Sequence, residues 1–203
     1  KRHVEVVVAA SEEHQLQLQV RGYEFSPPRV SDEDARALEQ QGRTVGLEDV
    51  VSGNVLAIAQ DLYRTLKGRN NLAFPNSRRS VEVYSDLLRG MCEKEGRPNE
   101  FWPHHGSLAK DVRSDAETAL KDKHQAATAI ATSTLELGID VGDVHAVAQV
   151  EVPPSVASLR QRLGRSGRRD GKAILRAYCS ELPLSQAEDP SDRLREGLVQ
   201  TTA

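Results

Sequence analysis

Two short strand-like segments open the chain, the second with a period of two. Val4-Glu5-Val6-Val7-Val8 is mostly apolar, and Gln15-Leu16-Gln17-Leu18-Gln19-Val20 alternates strictly. Such alternation marks strands, the second burying one face only. With a turn over Ser11 to His14, the pair predicts an antiparallel hairpin. Residues 22–49 hold Pro27-Pro28, an acidic helix candidate from Ser31 to Gln41 and scattered glycines, and read as a connector. From Asp49 helical stripes alternate with short apolar runs. Helices are expected over Val55 to Leu66, Arg79 to Gly90, Lys110 to Lys121 and Ser155 to Arg168. Buried strands are expected at Leu72-Ala73-Phe74, entering His104-His105-Gly106, at Ala129-Ile130-Ala131, over Val144 to Val152 and over Ala173 to Tyr178. This alternation predicts βαβ units: an α/β fold with a mainly parallel sheet flanked by helices, preceded by the hairpin. The division expected is 1–49 for hairpin and connector, 50–180 for the α/β domain, and 181–203 for a polar linker ending in a short helix.

Composition narrows the class. A chain of 203 residues can bury a sizeable core, and with 4% aromatics that core must be mostly Val, Leu, Ile and Ala. No run approaches the roughly 18 apolar residues of a membrane span, and no signal-peptide pattern follows Lys1. Cys92 and Cys179 show no ligand spacing, so a reduced, cytoplasmic protein is expected, with no metal site of its own. The net charge is -3, yet Arg160, Arg162, Arg165, Arg168, Arg169, Lys172 and Arg176 cluster against Asp170 alone. A cationic patch on a near-neutral body suits phosphate groups.

The chemistry concentrates in Ala131 to Arg169. Thr132-Ser133-Thr134-Leu135-Glu136-Leu137-Gly138-Ile139-Asp140 follows a buried strand, where hydroxyls and unpaired amides can bind phosphate oxygens. In the expected helix, Val156, Leu159 and Leu163 form the packing stripe, and Gln161, Arg165 and Arg168 a second one. Gly164 and Gly167, poor helix formers, point to close backbone approach or an early helix end. Arginine grips two phosphate oxygens with one planar fork. Without more, these features also fit a solvated cationic face and an ordinary helix cap.

Gln161-Arg162-Leu163-Gly164-Arg165-Ser166-Gly167-Arg168, joined to the preceding turn, resembles motifs VI and V of the superfamily 2 helicases, nearest the Lhr-like and Ski2-like branches. Phe74-Pro75-Asn76-Ser77-Arg78 resembles motif IV, and His104-His105-Gly106-Ser107-Leu108 the HHGSL segment of the Lhr-like branch. The resemblance implies a RecA-like domain of the P-loop NTPase type, the second of two in a motor. It implies that Arg165 and Arg168 are arginine fingers, that Gly138, Asp140 and Gln161 meet ATP, and that Gln161 and Arg162 serve contacts across the domain interface. Asn76, Ser77, Arg78, His105, Gly106, Ser107, Thr132 and Ser133 would meet a nucleic-acid strand, single or in a duplex. No G-x-x-x-x-G-K-[ST] loop occurs, since Lys172 is followed by Ala173, and no DExH box either. ATP and Mg²⁺ would then be held mainly by a first RecA-like domain elsewhere in the same polypeptide, itself expected to be a monomer. The alternative is a RecA-like scaffold that binds nucleic acid or protein without driving anything. Trp102, the only tryptophan, is a candidate for base stacking or for packing, the commoner role.

Overall fold

A computed structural model describes residues 8–10, 15–122, 124–135, 144–167, 172–189 and 199–200. The chain runs β1 (Val8–Ala10), β2 (Gln15–Glu24), α1 (Asp32–Gln40), α2 (Leu47–Val50), α3 (Gly53–Leu66), β3 (Asn71–Phe74) and α4 (Arg78–Lys94). It continues with β4 (Phe101–His104), α5 (Lys110–Lys121), β5 (Thr128–Ala131), β6 (Ala146–Val150), α6 (Val156–Leu163) and β7 (Lys172–Glu181). A single 3-10 turn, Ser133–Leu135, follows β5. The strands form one sheet in the order β1-β2-β7-β6-β3-β5-β4. All neighbouring pairs are parallel except β1 with β2. The expected α/β fold with a mainly parallel sheet and an N-terminal antiparallel hairpin is therefore present.

Alternation within the central strands loads both faces of the sheet, as parallel sheets require. Ala73, Ile130, Ala146, Ala148 and Val150 face Ile58, Leu62 and Leu66 of α3 and Val81, Leu88 and Cys92 of α4. Leu72, Phe74, Ala129, Ala131, Val147 and Leu175 face Leu120 of α5 and the partly buried Leu159 and Leu163 of α6. Trp102 packs against this second cluster, the commoner of its two roles. Cys92 and Cys179 are free and buried. No helix among the described residues is long and apolar enough to cross a membrane.

The hairpin is bound into the sheet. β2 pairs with β7 along its full length, from Gln15 opposite Lys172 to Glu24 opposite Glu181. Arg21 donates to buried Asp61 of α3 at 2.5 Å, which ties the strand to the helix layer. β2 runs past Val20, where the alternation stops, because β7 supplies backbone partners and Tyr23 packs on Tyr178 with ring centroids 6.2 Å apart. β1 begins at Val8, the last residue of the strand expected over Val4 to Val8; residues 4–7 and the expected turn at 11–14 lie outside the described residues. The acidic helix forms as α1, with the Ser31 hydroxyl accepting from the Asp34 N–H at 3.1 Å.

The helix expected over Ser155 to Arg168 stops at Leu163. Gly164 caps it, its N–H donating to the Arg160 carbonyl at 2.9 Å. Gly167 then takes φ 75°, and a Cβ there would stand 2.6 Å from the Ala173 nitrogen and 2.7 Å from the Lys172 carbonyl carbon. Close approach to β7 thus ends the helix early and turns the chain back. Arg165 therefore lies on a turn, and the stripe expected to join it to Gln161 does not exist. Val156 is likewise not part of the packing stripe: it is 67% exposed in the first helical position.

Gly167→Ala should lower stability by at least about 1–2 kcal/mol, the cost of left-handed backbone for an L residue, with the clash on top. Urea unfolding of the 203-residue chain reads this as a lower midpoint. An unchanged midpoint would mean the turn does not press against β7.

Candidate functional site

Loops that leave the carboxyl ends of β3, β4, β5 and β6 all emerge on one edge of the sheet. In open parallel sheets ligands bind outside that edge, where the strand order reverses. Here the reversal falls around β3, which lies between β5 and β6. Asn76 follows β3, Thr132 and Ser133 follow β5, and Pro154, Ser158 and Arg162 follow β6. Together with Pro75 they line a cleft of about 380 Å³. Three segments far apart in sequence meet in it.

Each segment is held by its own local chemistry. Ser77 caps α4, its hydroxyl accepting from the Ser80 N–H at 3.0 Å. Arg78 and Arg79 follow, both exposed, so two cations and the free amides of a 17-residue helix start share one rim. Thr132, half-buried, donates its N–H to the His104 carbonyl at 3.3 Å. Ser133 is exposed and opens the 3-10 turn. Thr134 lies 2.9 Å from His104 Nδ1 and donates to the His104 carbonyl at 3.2 Å. The ring's Nε2 is 3.2 Å from Glu117 of α5. Buried His104 therefore fixes the turn after β5.

His105 was expected to meet a strand through its imidazole. Its ring is turned inward instead, 2% exposed, with Nε2 3.1 Å from Glu82 of α4. Gly106 and Ser107 are exposed on the same loop but do not line the cleft. Ser77 lines a second, adjoining cleft of about 330 Å³, with Asn76, Arg79, Tyr84 and Glu151 among its walls. Burial holds the Tyr84 phenol well above its usual range, so it is a neutral hydroxyl there.

Arg162 was expected to serve a contact across a domain interface. The structure turns it into the domain, 2% exposed. Its guanidinium stacks 4.8 Å from the Phe74 ring centroid and donates through Nη1 to Gln149 Oε1 at 2.5 Å. Phe74 and Gln149 are cross-strand partners in the β3–β6 register, so one guanidinium covers both. A buried charge persists only with such compensation, and a weakly hydrated, planar guanidinium suits a ring face and an amide oxygen.

Gln161 is exposed on α6. Arg165 is half-buried on the following turn, its N–H donating to the Arg162 carbonyl at 3.0 Å. Ser166 pins that turn from below: its hydroxyl donates to the His145 carbonyl at 2.9 Å and accepts from the Ile174 N–H at 3.2 Å. Gly138, Asp140 and Arg168 lie outside the described residues. Among the described residues no group of three or more His, Cys, Asp or Glu side chains is gathered to hold a metal ion. Sequence reasoning missed Gln149, His104 and Ser166. The signal for Gln149 was present, as the one amide inside the apolar run from Ala146 to Val150.

The sheet order and the loops gathered at its carboxyl edge define a RecA-like domain of the kind found in nucleic-acid motors. Residues 54–170 match the helicase conserved C-terminal domain family, and the chain belongs to that family, in the Lhr-like branch of superfamily 2. It is 34% identical over 128 residues to the ATP-dependent helicase Lhr-Core of Saccharolobus solfataricus, covering 60% of this chain and 14% of that protein. The structure of Mycobacterium smegmatis helicase Lhr bound to ssDNA and AMP-PNP superimposes with a TM-score of 0.55 at 37% identity, over 60% of this chain and 16% of that one. Domain 2 of the DEAD-box helicase Mss116p, bound to an RNA duplex, superimposes with a TM-score of 0.51 at 18% identity, over 63% of this chain and 50% of that one, and shares the fold. The chain thus spans only a small part of the Lhr relatives.

If Arg162 and Gln149 satisfy each other, the variants should be non-additive. Arg162→Met leaves the Gln149 oxygen buried and unpaired, which costs on the order of 1–3 kcal/mol. Gln149→Met takes an acceptor from the buried guanidinium and should cost at least as much. The double variant should be more stable than the sum of the two losses predicts. Urea unfolding of all four proteins measures this; strict additivity would show that the pair does not interact.

Proposed function

We propose that this chain is the second motor domain of an ATP-dependent helicase or translocase, acting within a longer, monomeric, cytoplasmic polypeptide. The observation that carries the reading is the cleft at the sheet's carboxyl edge. There the loops after β3 and β5 meet Pro154, Ser158 and Arg162, and exposed Arg78 follows Asn76 and Ser77 at the start of α4. The family membership of residues 54–170 and the helicase names of the relatives support it.

In this reading residues 50–180 form the motor domain, and the hairpin strand β2 widens its sheet. The strand-binding side comprises Asn76, Ser77, Arg78, Thr132 and Ser133, with Gly106 and Ser107 on the flanking loop. These groups offer hydroxyls, amides and a guanidinium, which address phosphates and carry no base readout. His105 acts through Glu82, by orienting α4 beneath them. The nucleotide side comprises Arg165 and Gln161, with Gly138, Asp140 and Arg168 assigned to it by the motifs they complete.

The pinned turn suits Arg165 to a phosphate. Gly164 and Ser166 fix its backbone, so little freedom is lost when the side chain engages. A first RecA-like domain in the same polypeptide would hold ATP and Mg²⁺ in the main. Arg165 and Arg168 would supply positive charge where negative charge develops as the γ-phosphoryl group departs, and Asp140 would orient the ribose. Both ligands must favour the same closed arrangement of the two domains for hydrolysis to move a strand.

In the intact polypeptide, with saturating nucleic acid, Arg165→Ala and Arg168→Ala should each lower kcat by about 10³-fold or more, the scale of an arginine finger. KM for ATP should change little, because the contact strengthens only in the transition state. Arg→Lys should rescue poorly, since a point charge does not reproduce the planar fork. The purified 203-residue chain should show no turnover. Near-normal kcat in both alanine variants would reduce this surface to a cationic scaffold.

A further inference from the structure

Gln149 does more than accept a hydrogen bond from a buried arginine. The donors and acceptors around it fix its orientation without ambiguity. Arg162 can only donate, so the Gln149 oxygen must face it, and the amide nitrogen must face the other way. The two hydrogens of that nitrogen are shared among Asn76 Oδ1 at 3.3 Å, the Val150 carbonyl at 3.1 Å and the Glu151 carbonyl at 3.0 Å. The same logic applies at Asn76. Its nitrogen donates to the Val152 carbonyl at 2.6 Å, so its oxygen faces Gln149. A one-way chain of donors results: Arg162 to Gln149, Gln149 to Asn76, Asn76 to the Val152 backbone.

The segment that this chain binds is strained. Glu151 has φ 63°, the one non-glycine residue in left-handed backbone among the described residues. Such a conformation is unfavourable for an L residue and persists where its surroundings hold it. Gln149 holds the Glu151 carbonyl. The Glu151 carboxylate accepts from the Ser180 hydroxyl at 2.6 Å and from its N–H at 3.1 Å. The Glu151 N–H donates to the Tyr178 carbonyl at 2.7 Å. The connection from β6 to α6 is therefore over-determined, and Gln149 is its inner clamp.

We infer that Gln149 is a positioning residue that couples the two sides of the site. This rests on the motor reading above. Arg162 belongs to α6, which ends in the turn that presents Arg165. Asn76 belongs to the loop that begins the strand-binding side. Gln149 touches both and is itself wholly buried, so it meets neither ligand. A shift of α6 on nucleotide binding reaches Asn76 through one rigid amide, and a strand that moves Asn76 reaches α6 the same way. Bonds in such a chain polarise one another, and breaking one weakens its neighbours.

The test separates coupling from folding. Gln149→Glu keeps an acceptor for Arg162 and removes the amide N–H that donates to Asn76 Oδ1. In the intact polypeptide, the dissociation constant for a fluorescent single-stranded oligonucleotide is measured with and without AMP-PNP. The wild-type ratio should fall in the range of about 5–150-fold typical of coupled sites. Gln149→Glu should bring it close to one, with nucleotide-free strand affinity nearly unchanged. Asn76→Leu breaks the same link from the exposed end; as a strand contact it lowers affinity with and without nucleotide, so only the ratio is read. It should also bring the ratio close to one, and combining the two should add nothing further. A wild-type ratio retained in both variants overturns the coupling role while leaving the motor reading intact. A ratio of one in the wild type removes both.

Discussion

A guanidinium buried between two strands and a helix is the constraint around which this domain is arranged. Leaving Arg162 without compensation would cost several kcal/mol, so its surroundings are not free to vary. Phe74 must present a ring face and Gln149 an oxygen, and the β3–β6 register places the two opposite each other. Helix α6 must then sit low over the sheet; Gly164 caps it, and Gly167 lets the chain leave without collision with β7. The position of Arg165 follows from that exit, so packing inside the domain dictates what the domain presents outside.

The same logic orders the carboxyl edge of the sheet. Histidine and serine side chains that never reach solvent hold the loops that do. His104 fastens the turn after β5, His105 fastens α4 through Glu82, and Ser166 fastens the turn after α6. Exposed groups such as Asn76, Arg78 and Ser133 are then held on rigid supports, which reduces the entropy lost when a phosphate binds. Rigid supports also let a small movement of one loop register in another, since packed elements shift as units.

Much of the fold was legible in the sequence because apolar runs of four or five residues admit only buried strands between helical stripes. Helix α5 fell over Lys110 to Lys121 as expected, and β3, β5 and β7 where their Ala, Leu and Ile runs lie. The misplaced end of α6 has a physical reason. Arginine and glutamine favour helix, and although Gly164 and Gly167 signalled an early end, the approach of Ala173 that requires glycine at 167 is visible only in three dimensions. Orientation was less legible still. Spacing placed Arg162 on the helix and His105 on the loop, but which way each side chain turns depends on the neighbouring strand and on Glu82. Gln149 escaped notice because its partners come from two other segments, Asn76 and Arg162, and no local pattern joins them. The motifs named the surface, and the polar atoms beneath it emerged only in three dimensions.

In the motor reading, the carboxyl edge of the sheet is the face that meets nucleic acid. Hydrogen–deuterium exchange of the intact polypeptide, with and without a saturating single strand, tests it most directly. The strand should protect amides at 76–80, 106–108 and 132–135, and leave unchanged those at 68–70 and 124–127 on the opposite edge. Protection confined to the opposite edge, or to residues outside this domain, would contradict the account.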